Sequence, residues 1–433
     1  MYRETYFIFG KINKITAATQ RRKALTLRLS VFSVKIIKMN NQKIFTRTIW
    51  ILSFVSLFTD IASEMLYPVM PIYLKTIGFT ALWIGILEGV AEAVVGISKG
   101  YFGKLSDEKG QRLPFVKLGY LLSSISKPLM AVFTYPVWIL FVRSTDRLGK
   151  GIRTSARDAM LSDESSKENK GKVFGLHRAM DTLGAAIGPL LALTFLFFYP
   201  AHYKELFFIA FAPGLIGAAL TFIVKEKQKV PVVKIAKGSF FSYFAYWKIA
   251  DADYKKTVVG LLLFALFNSS DVFLLLMAKN IGIGDLHIIG VYVFYNLVFA
   301  LFAFPMGSLA DKIGMKPTFV IGLILFAAVY GGIVFVRDEM MLYVIFFIYG
   351  IYAAATDGVS KAWIAKIVPH SETATAIGFY ASCASFAALL ASSIAGLLWV
   401  TFSPSVTFFV AAVGVLVVTI YFLMMKREEP QLM

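Results

Sequence analysis

Long apolar stretches recur along this sequence and decide what it can fold into. Each has about 20 residues, which as a helix is enough to cross a hydrocarbon layer of roughly 30 Å. We count twelve, with approximate spans 48–74, 82–103, 115–134, 136–157, 173–198, 204–224, 257–279, 288–308, 317–336, 340–366, 373–399 and 404–425. Because 58% of the residues are hydrophobic and only 16% are charged, the sequence predicts an all-α integral membrane protein with twelve transmembrane helices.

The distribution of positive charge predicts the orientation of these helices. A formal net charge of +18 would suit nucleic acid, but the predicted outer loops hold only Lys75, Lys204, Lys279 and Arg337. The inner segments hold most of the remaining cations, including eight lysines between residues 225 and 256. This asymmetry follows the positive-inside rule. We therefore expect a multi-pass protein of the inner (plasma) membrane, with both termini cytoplasmic and no nucleic-acid partner.

The N-terminal segment 1–47 is basic and is predicted to be disordered. Residues 1–38 carry nine Lys or Arg against one acid, Glu4, and lack the continuous apolar core of a signal peptide. Met39 is followed by a short basic lead-in to the first span, so we expect translation to start at Met39. The alternative is an Arg-rich, acid-poor targeting segment.

The sequence divides into two similar halves. The basic segment 225–256 is a predicted cytoplasmic linker between two six-helix bundles, 48–224 and 257–425, and 426–433 is a cytoplasmic tail. "GKLSDEKGQR" at 103–112 recurs as "GSLADKIGMK" at 307–316, at an offset of 204 residues. Repeats of this kind build transporters in which two bundles rock about a site near the membrane midplane.

The repeated G-x-L-[SA]-D-x-x-G-x-[RK] resembles the loop motif of the major facilitator superfamily, and the resemblance extends from about residue 45 to 425. The "DRLGKGIR" stretch of the fourth span is similar to a prokaryotic permease subgroup of that family. The resemblance implies two six-helix bundles, and it implies that Asp107 docks near the start of the eleventh helix, where Ser371 is the expected N-cap. It also implies a pairing of Asp158 with Arg112. The implied cytoplasmic gate comprises Asp107, Gly110, Arg112, Arg157, Asp158, Asp311, Gly314 and Lys316.

Two further motifs match the family only in part. Arg143 precedes Gly149 by six residues instead of the usual four, and Glu108 occupies a loop position that is usually basic. "GAAIGPLLA" at 184–192 resembles the Gly-Pro motif of antiporters without its terminal Gly pair. The resemblance therefore points towards export by antiport, without requiring it.

Ionisable residues inside the spans are costly in lipid and mark function by default. In the first half we assign a proton-coupling or charge network to Asp60, Glu64, Glu88, Glu92, Lys127, Arg143, Asp146, Arg147, Arg178 and Asp181. The first four are expected to contain the proton carrier. Two alternatives stay open: static ion pairs that hold the bundle rigid, and binding of an anionic substrate by the basic members.

The stretch "DRLGKGIRTSARDAMLSDES" at 146–165 lacks the spacing of a phosphate-binding loop. In a helix, Arg143, Asp146, Lys150, Arg153 and Arg157 lie along one face. This polar stripe predicts the wall of a vestibule on the cytoplasmic side.

The second half is poorer in charge and is expected to supply an apolar and aromatic cavity wall. Its candidates are Phe267, Asn268, Asp271, Tyr292, Tyr295, Asn296, Tyr349 and Tyr352. The single cysteine, Cys383, and four scattered histidines predict no metal site, and we expect no cofactor.

The sequence as a whole predicts a secondary transporter of a small molecule that works by alternating access, couples to protons and acts as a monomer. Export by antiport is one expected direction, and proton-symport uptake of a small anionic metabolite is the alternative. An enzyme is not expected, because no soluble stretch is long enough for a nucleotide-binding domain. A transporter-like sensor that binds without turnover is the alternative of another class.

Overall fold

The computed structural model describes residues 44–226, 240–283 and 285–425, which are almost entirely helical and contain no strand. The expectations for residues 1–43 and 426–433, including the start at Met39, lie outside the described residues. From Arg47 onwards the described residues belong to one compact unit.

The helices of the first half follow its predicted spans closely. They are α1 (Arg47–Leu66), α2 (Met70–Thr76), α3 (Ala81–Lys109), α4 (Leu113–Val132), α5 (Pro136–Asp163), α6 (Lys170–Phe198) and α7 (Tyr203–Leu220). The second half has α8 (Tyr246–Ile249), α9 (Ala252–Ala265), α10 (Val272–Asn280), α11 (Asp285–Ile313), α12 (Met315–Gly332), α13 (Glu339–Ile367), α14 (Thr373–Thr401) and α15 (Pro404–Met424). Short 3-10 turns extend α7 at Thr221–Ile223 and α12 at Ile333–Phe335.

The first helical segment of each half is broken, although at the 204-residue offset the two breaks overlap only at Tyr67 and Asp271. α1 ends at Leu66 and α2 begins at Met70, and Pro68 lies between them. The predicted span 257–279 is interrupted in the same way, because α9 ends at Ala265 and α10 begins at Val272. Irregular backbone at this depth is tolerated where it is buried in protein or lines a cavity. Both breaks therefore mark the places where the halves contribute backbone and polar side chains to a shared interior.

Eight helical segments among the described residues are long and apolar enough to cross a membrane. α3, α4 and α5 fall outside this group, and all three carry charged residues within their spans, whereas α9 and α10 are too short. The number of twelve spans stays a prediction.

The two halves meet along two helix pairs, α3 with α14 and α6 with α11. Within the first half α1 packs on α6 and α7, and within the second half α13 packs on α11 and α12. We call the end where α3 joins α4 and α11 joins α12 the closed end, because α5 also reaches α14 there. The opposite end, where α2 joins α3 and α10 precedes α11, is the open end.

Small residues allow the closest approach between the halves. A Cβ atom on Gly171 would lie 2.2 Å from the carbonyl oxygen of Gly307, and one on Gly307 would lie 2.1 Å from that of Gly171. Such backbone contacts are typical of membrane helix interfaces, where small residues replace a hydrophobic driving force.

We expect Gly307→Ala to destabilise the protein by about 1–3 kcal/mol, because the added methyl group forces α6 and α11 apart. Gly331→Ala is the matched control, since nothing lies within 4 Å of a Cβ atom there. Thermal unfolding in detergent, followed by size-exclusion chromatography, measures both. Equal melting temperatures for the two variants would contradict the close packing.

Candidate functional site

A cavity of about 570 Å³ lies between the halves and extends towards the open end. Its polar lining residues are Asp60, Ser63, Glu64, Glu92, Ser126, Lys127, Arg143, Asp146, Arg147, Lys150, Arg153, Ser270 and Asp271. The rest of its lining is apolar or aromatic and includes Tyr67, Met70, Leu193, Leu275, Ile288 and Tyr292. The charged groups come mainly from α1 and α5, and the break between α9 and α10 brings in Asp271.

Several of the predicted intramembrane charges form ion pairs on one side of this cavity. Arg143 on α5 donates from Nε and Nη2 to the two carboxylate oxygens of Glu88 on α3, both at 3.0 Å. Asp146 lies 3.7 Å from Lys127 and 3.7 Å from Arg143. Paired charges of this kind fix α3, α4 and α5 relative to one another, as the static alternative expects.

A second group of charges links α1, α6 and the other half. Asp60 of α1 lies beside Asp181 of α6, and two neighbouring carboxylates in a low-dielectric site repel each other unless one is protonated. Asp181 accepts a hydrogen bond from Ser56 Oγ at 2.8 Å. Arg178 lies 2.5 Å from Asp181 and 2.5 Å from Asp357 on α13. Arg178 therefore connects a carboxyl pair of the first half to an acid of the second half.

Three cations on successive turns of α5 face the cavity without a hydrogen-bonded carboxylate among the described residues. Arg147 lies 3.7 Å from Glu88 and 3.7 Å from Glu92, and its buried Nε atom has no hydrogen-bond partner. Lys150 is exposed to the cavity and forms no ion pair with any described acid. Arg153 is only 4% exposed and donates to Ser123 Oγ, and its Nε atom also lacks a partner.

A smaller cavity of about 250 Å³ lies deeper, against the second half. It is lined by Arg178, Asp357, Ser360 and Tyr380 together with the predicted wall residues Asn268, Asp271, Tyr295, Tyr349 and Tyr352. Tyr349 donates a hydrogen bond of 2.5 Å to Asp271, which faces both cavities. Phe267 and Asn296, also expected in the wall, are not among the residues that line these two cavities. Phe267 packs on Gly414, and Asn296 donates to the carbonyl oxygen of Tyr292.

The predicted gate motif lies at the closed end, where it joins α3 to α14. Asp107 accepts hydrogen bonds from the backbone N–H of Thr375 at 2.6 Å and from its hydroxyl at 2.7 Å. A carboxylate in this position is stabilised by the free N–H groups and dipole of the helix N-terminus. Ser371 is not the N-cap, because α14 begins at Thr373 with Glu372 before it. The side chain that caps the start of α14 is therefore Asp107 of the other half, and not a residue next to α14 in the sequence.

Arg112 fixes the same corner from the α3–α4 turn. It lies 2.8 Å from Asp107 and 2.7 Å from Asp163, and it donates to the carbonyl oxygen of His370 at 2.9 Å. Gly110 allows the turn, since it ends α3 with a left-handed φ of 62°.

The second copy of the motif makes the equivalent contact. Asp311 on α11 accepts from the backbone N–H groups of Gly171 and Lys172 at the start of α6, both at 2.8 Å. Thr375 and Gly171 differ by the same 204 residues as Asp107 and Asp311, so the contact itself is repeated. Gly314 again provides the turn, with φ of 106°. Lys316 differs from Arg112, because it donates to the carbonyl oxygen of Met425 at the end of α15.

The expected pairing of Asp158 with Arg112 is wrong. Asp158 is 1% exposed and pairs with Arg157 at 2.8 Å and with Lys361 of the other half at 3.4 Å. Arg157 also donates to Ser56 and Tyr120. The reason is geometric: Asp158 lies more than one helical turn before Asp163, the α5 acid that reaches Arg112.

The polar stripe of α5 is present, but it does not line a vestibule at the closed end. Arg143, Asp146, Lys150 and Arg153 face the cavity that extends to the open end, and Arg157 is buried beyond it. The sequence interpretation placed Lys150 and Arg153 on the wall of a cytoplasmic vestibule, and it assigned Asp357 and Lys361 to no site. The repeat offset was a usable signal, since it places Asp357 at Arg153 and Lys361 at Arg157.

Comparison with known proteins agrees with this architecture. The family model described as Major Facilitator Superfamily matches residues 52–282 and 257–432. An uncharacterized MFS-type transporter of Methanocaldococcus jannaschii is 33% identical over 379 residues, covering 86% of this chain and 93% of that protein. Multidrug resistance protein MdtG of Serratia proteamaculans is 24% identical, covering 69% of this chain and 73% of that protein.

Solved structures show the same fold. The crystal structure of the human organic anion transporter MFSD10 superposes with a TM-score of 0.74 at 15% identity, covering 87% of this chain and 99% of that one. The fold, the repeated closed-end contacts and these matches lead to one conclusion: this chain is a multi-pass membrane protein that belongs to the major facilitator superfamily.

Proposed function

We propose that this protein is a proton-coupled secondary transporter that works by alternating access and has twelve transmembrane helices in two six-helix bundles. The main support for this proposal is the difference between the open end and the closed end of the protein. A cavity lined by charges extends to the open end, whereas two equivalent carboxylate–helix contacts, at Asp107 and Asp311, hold the other end shut. If the closed end opened while the open end closed, a solute bound in the cavity would be carried across the membrane.

The positive-inside asymmetry supports a cytoplasmic closed end, so the conformation described is the outward-facing one. Both termini would then be cytoplasmic in the inner membrane. The cavity is enclosed by the two halves of a single chain, which supports a monomer as the functional unit.

Proton coupling is assigned first to Asp60, with Asp181 as its partner. Glu88 is engaged bidentately by Arg143, and Asp146 by two cations, so both serve better as structural anchors. Asp60 differs because it faces the cavity and lies beside another carboxyl group, that of Asp181. Two carboxyls in one low-dielectric site cannot both stay ionised, which suits a proton carrier.

Arg178 gives this carboxyl pair a connection to the gate. It bridges Asp181 of the first half and Asp357 of the second, so the charge on Asp181 affects an ion pair between the halves. When Asp181 is protonated, Arg178 is attracted to Asp357 alone, and when Asp181 is ionised it is shared. Proton binding would thereby change how strongly the halves are held together.

Export by antiport is the first candidate direction. The relative MdtG carries the name of a multidrug resistance protein. The partial Gly-Pro motif also lies where it affects coupling, since Cβ atoms on Gly184 and Gly188 would meet the backbone of α1 at 2.6 and 2.7 Å. α6 therefore packs directly on the helix that carries Asp60 and Glu64.

Proton-symport uptake of a small anion is the second candidate, and a specific observation favours it. Arg147, Lys150 and Arg153 present cations to the cavity close to Asp60 and Glu64. An anion bound there lowers the cost of protonating these carboxyls by repelling their negative charge. Anion and proton would then bind together and move in the same direction.

Purified protein in proteoliposomes tests the function and the direction. With an imposed pH gradient and a pH-sensitive dye inside, we expect solute movement to be accompanied by proton movement. Antiport moves the solute against the proton flow, and symport moves it with the proton flow. Ligand binding without flux of either would contradict transport and favour the sensor alternative.

A further inference from the structure

We propose that the cavity holds a built anion subsite, formed by Arg147, Lys150 and Arg153, and that the transported compound is an organic anion with an apolar ring or chain. The inference rests on the proposed function and adds the chemical class of its substrate. None of these three cations has a hydrogen-bonded carboxylate among the described residues.

The spacing of the three residues suits one anionic group. They lie at i, i+3 and i+6 on α5, so their side chains follow one another along a single face at intervals of about 4.5 Å. Lys150, in the middle, is exposed to the cavity, and the two arginines flank it. Arginine forks of this kind bind carboxylate or phosphate oxygens through paired N–H groups.

Arg153 is the strongest single indication of a ligand. It is held in place by Ser123 Oγ at 2.5 Å and by Tyr120, whose ring centre lies 4.5 Å from the guanidinium carbon. These contacts orient the side chain without neutralising it, and its buried Nε atom has no hydrogen-bond partner. A buried guanidinium without an acid is costly unless another anion compensates it. The cavity beside it is the place from which such an anion would come.

The acids that line the cavity do not cancel this subsite. Asp146 is paired with Lys127, and Asp271 accepts from Tyr349. Glu92 is 58% exposed and lies 3.7 Å from Arg147 without a hydrogen bond. Asp60 lies on the side of α6, beside Asp181. Asp60, Glu64 and Asp271 face the same cavity, but no described carboxylate lies within ion-pair distance of Lys150 or Arg153.

The part of the cavity nearer the open end indicates which chemical group the ligand carries besides its anionic group. Towards the open end the wall consists of apolar and aromatic side chains, among them Tyr67, Met70, Leu193, Leu275 and Tyr292. An inorganic anion would leave this surface unused. A compound that places its anionic group at α5 and its ring among these side chains would use the whole cavity.

Binding of 2-naphthoate to the full-length protein in detergent, measured by isothermal titration calorimetry, tests the subsite. Its neutral isostere 2-naphthamide and the ring-free anions acetate and inorganic phosphate are the matched probes. We expect 2-naphthoate to bind at least about tenfold more tightly than any of the three, since one charge-assisted contact contributes roughly 1.4 kcal/mol or more. If 2-naphthamide bound as tightly as 2-naphthoate, the anion subsite would be overturned. If phosphate bound as tightly as 2-naphthoate, the proposed apolar part of the ligand would be overturned.

Variants assign the effect to the named residues. Lys150→Gln and Arg153→Gln should each weaken 2-naphthoate binding about tenfold and leave 2-naphthamide binding unchanged. Arg153→Lys should recover part of the loss if the glutamine variant does not fold. Lys256→Gln, at an exposed lysine on α9, is the control and should bind like the unaltered protein. Unchanged 2-naphthoate binding in Lys150→Gln would overturn the assignment.

This experiment separates the substrate class from the proposed function. Tight 2-naphthoate binding without any flux in proteoliposomes would preserve the subsite and contradict transport. Flux of neutral or cationic compounds with no preference for 2-naphthoate over its amide would preserve transport and contradict the subsite.

Discussion

Asp107→Asn is expected to lower the transport rate by at least about tenfold while leaving membrane insertion and folding intact. The substitution leaves Arg112 without the buried carboxylate that lies 2.8 Å from it, and it weakens the contact with the start of α14. Leaving a buried charge wholly unpaired costs about 3–5 kcal/mol, and the cost here is smaller because Arg112 keeps its contact with Asp163. This substitution destabilises the conformation in which the closed end is shut. The free energies of the two conformations would then no longer be similar, and their interconversion would slow.

Two other acids make this prediction specific. Asp311→Asn should have a smaller effect, because among the described residues Asp311 contacts the helix N-terminus without a loop cation, and Lys316 donates to Met425. Asp338→Asn should have almost none, because this acid caps α13 at the open end and Asn caps a helix nearly as well. Flux in proteoliposomes, normalised to inserted protein, ranks the three. Transport by Asp107→Asn equal to that by Asp338→Asn would remove the gate assignment.

Asp60→Asn is expected to abolish proton-driven accumulation and to retain exchange of substrate between the two sides. Asn cannot ionise, so the site that Asp60 shares with Asp181 would no longer bind and release a proton as the protein turns over. Substrate exchange at equal concentrations needs no net proton movement and should persist. Measuring accumulation under a pH gradient and counterflow without one separates the two activities.

Two neighbouring acids serve as controls for Asp60. Glu92→Gln should reduce coupling far less, because its carboxylate is largely exposed and lies at a loose 3.7 Å from Arg147. Glu88→Gln should reduce both activities together, because it breaks the bidentate contact that positions Arg143. If all three variants kept proton-driven accumulation, the charges would be static ion pairs and the coupling assignment would be wrong.

Much of the fold could be predicted from apolar length and repetition, because both are local properties of the sequence. The helices follow the predicted spans, and the equivalence of Asp107 with Asp311 extends to the backbone N–H groups that they bind. The break between α9 and α10 was missed because its residues, from Leu266 to Asp271, are still mostly apolar or small and carry no proline.

The partners of the charges could not be predicted in the same way. Which acid faces which cation depends on the rotation and crossing of helices from different halves, as with Arg178 and Asp357 or Asp158 and Lys361. Helical spacing placed Lys150 and Arg153 on one polar face of α5. It did not show that this face opens away from the closed end and leaves both side chains without a described carboxylate partner.

Distances between spin labels at the two ends test alternating access most directly. With Cys383 replaced by serine, one cysteine pair replaces Lys167 and Lys312 at the closed end, and another replaces Thr76 and Asn280 at the open end. All four positions are exposed, and each pair joins the two halves. We predict that Asp107→Asn produces a second population of molecules, with a longer closed-end distance and a shorter open-end distance. The fraction of molecules with the new distance should be the same at both ends. A single, unchanged distance at each end, or a change at one end alone, would contradict alternating access.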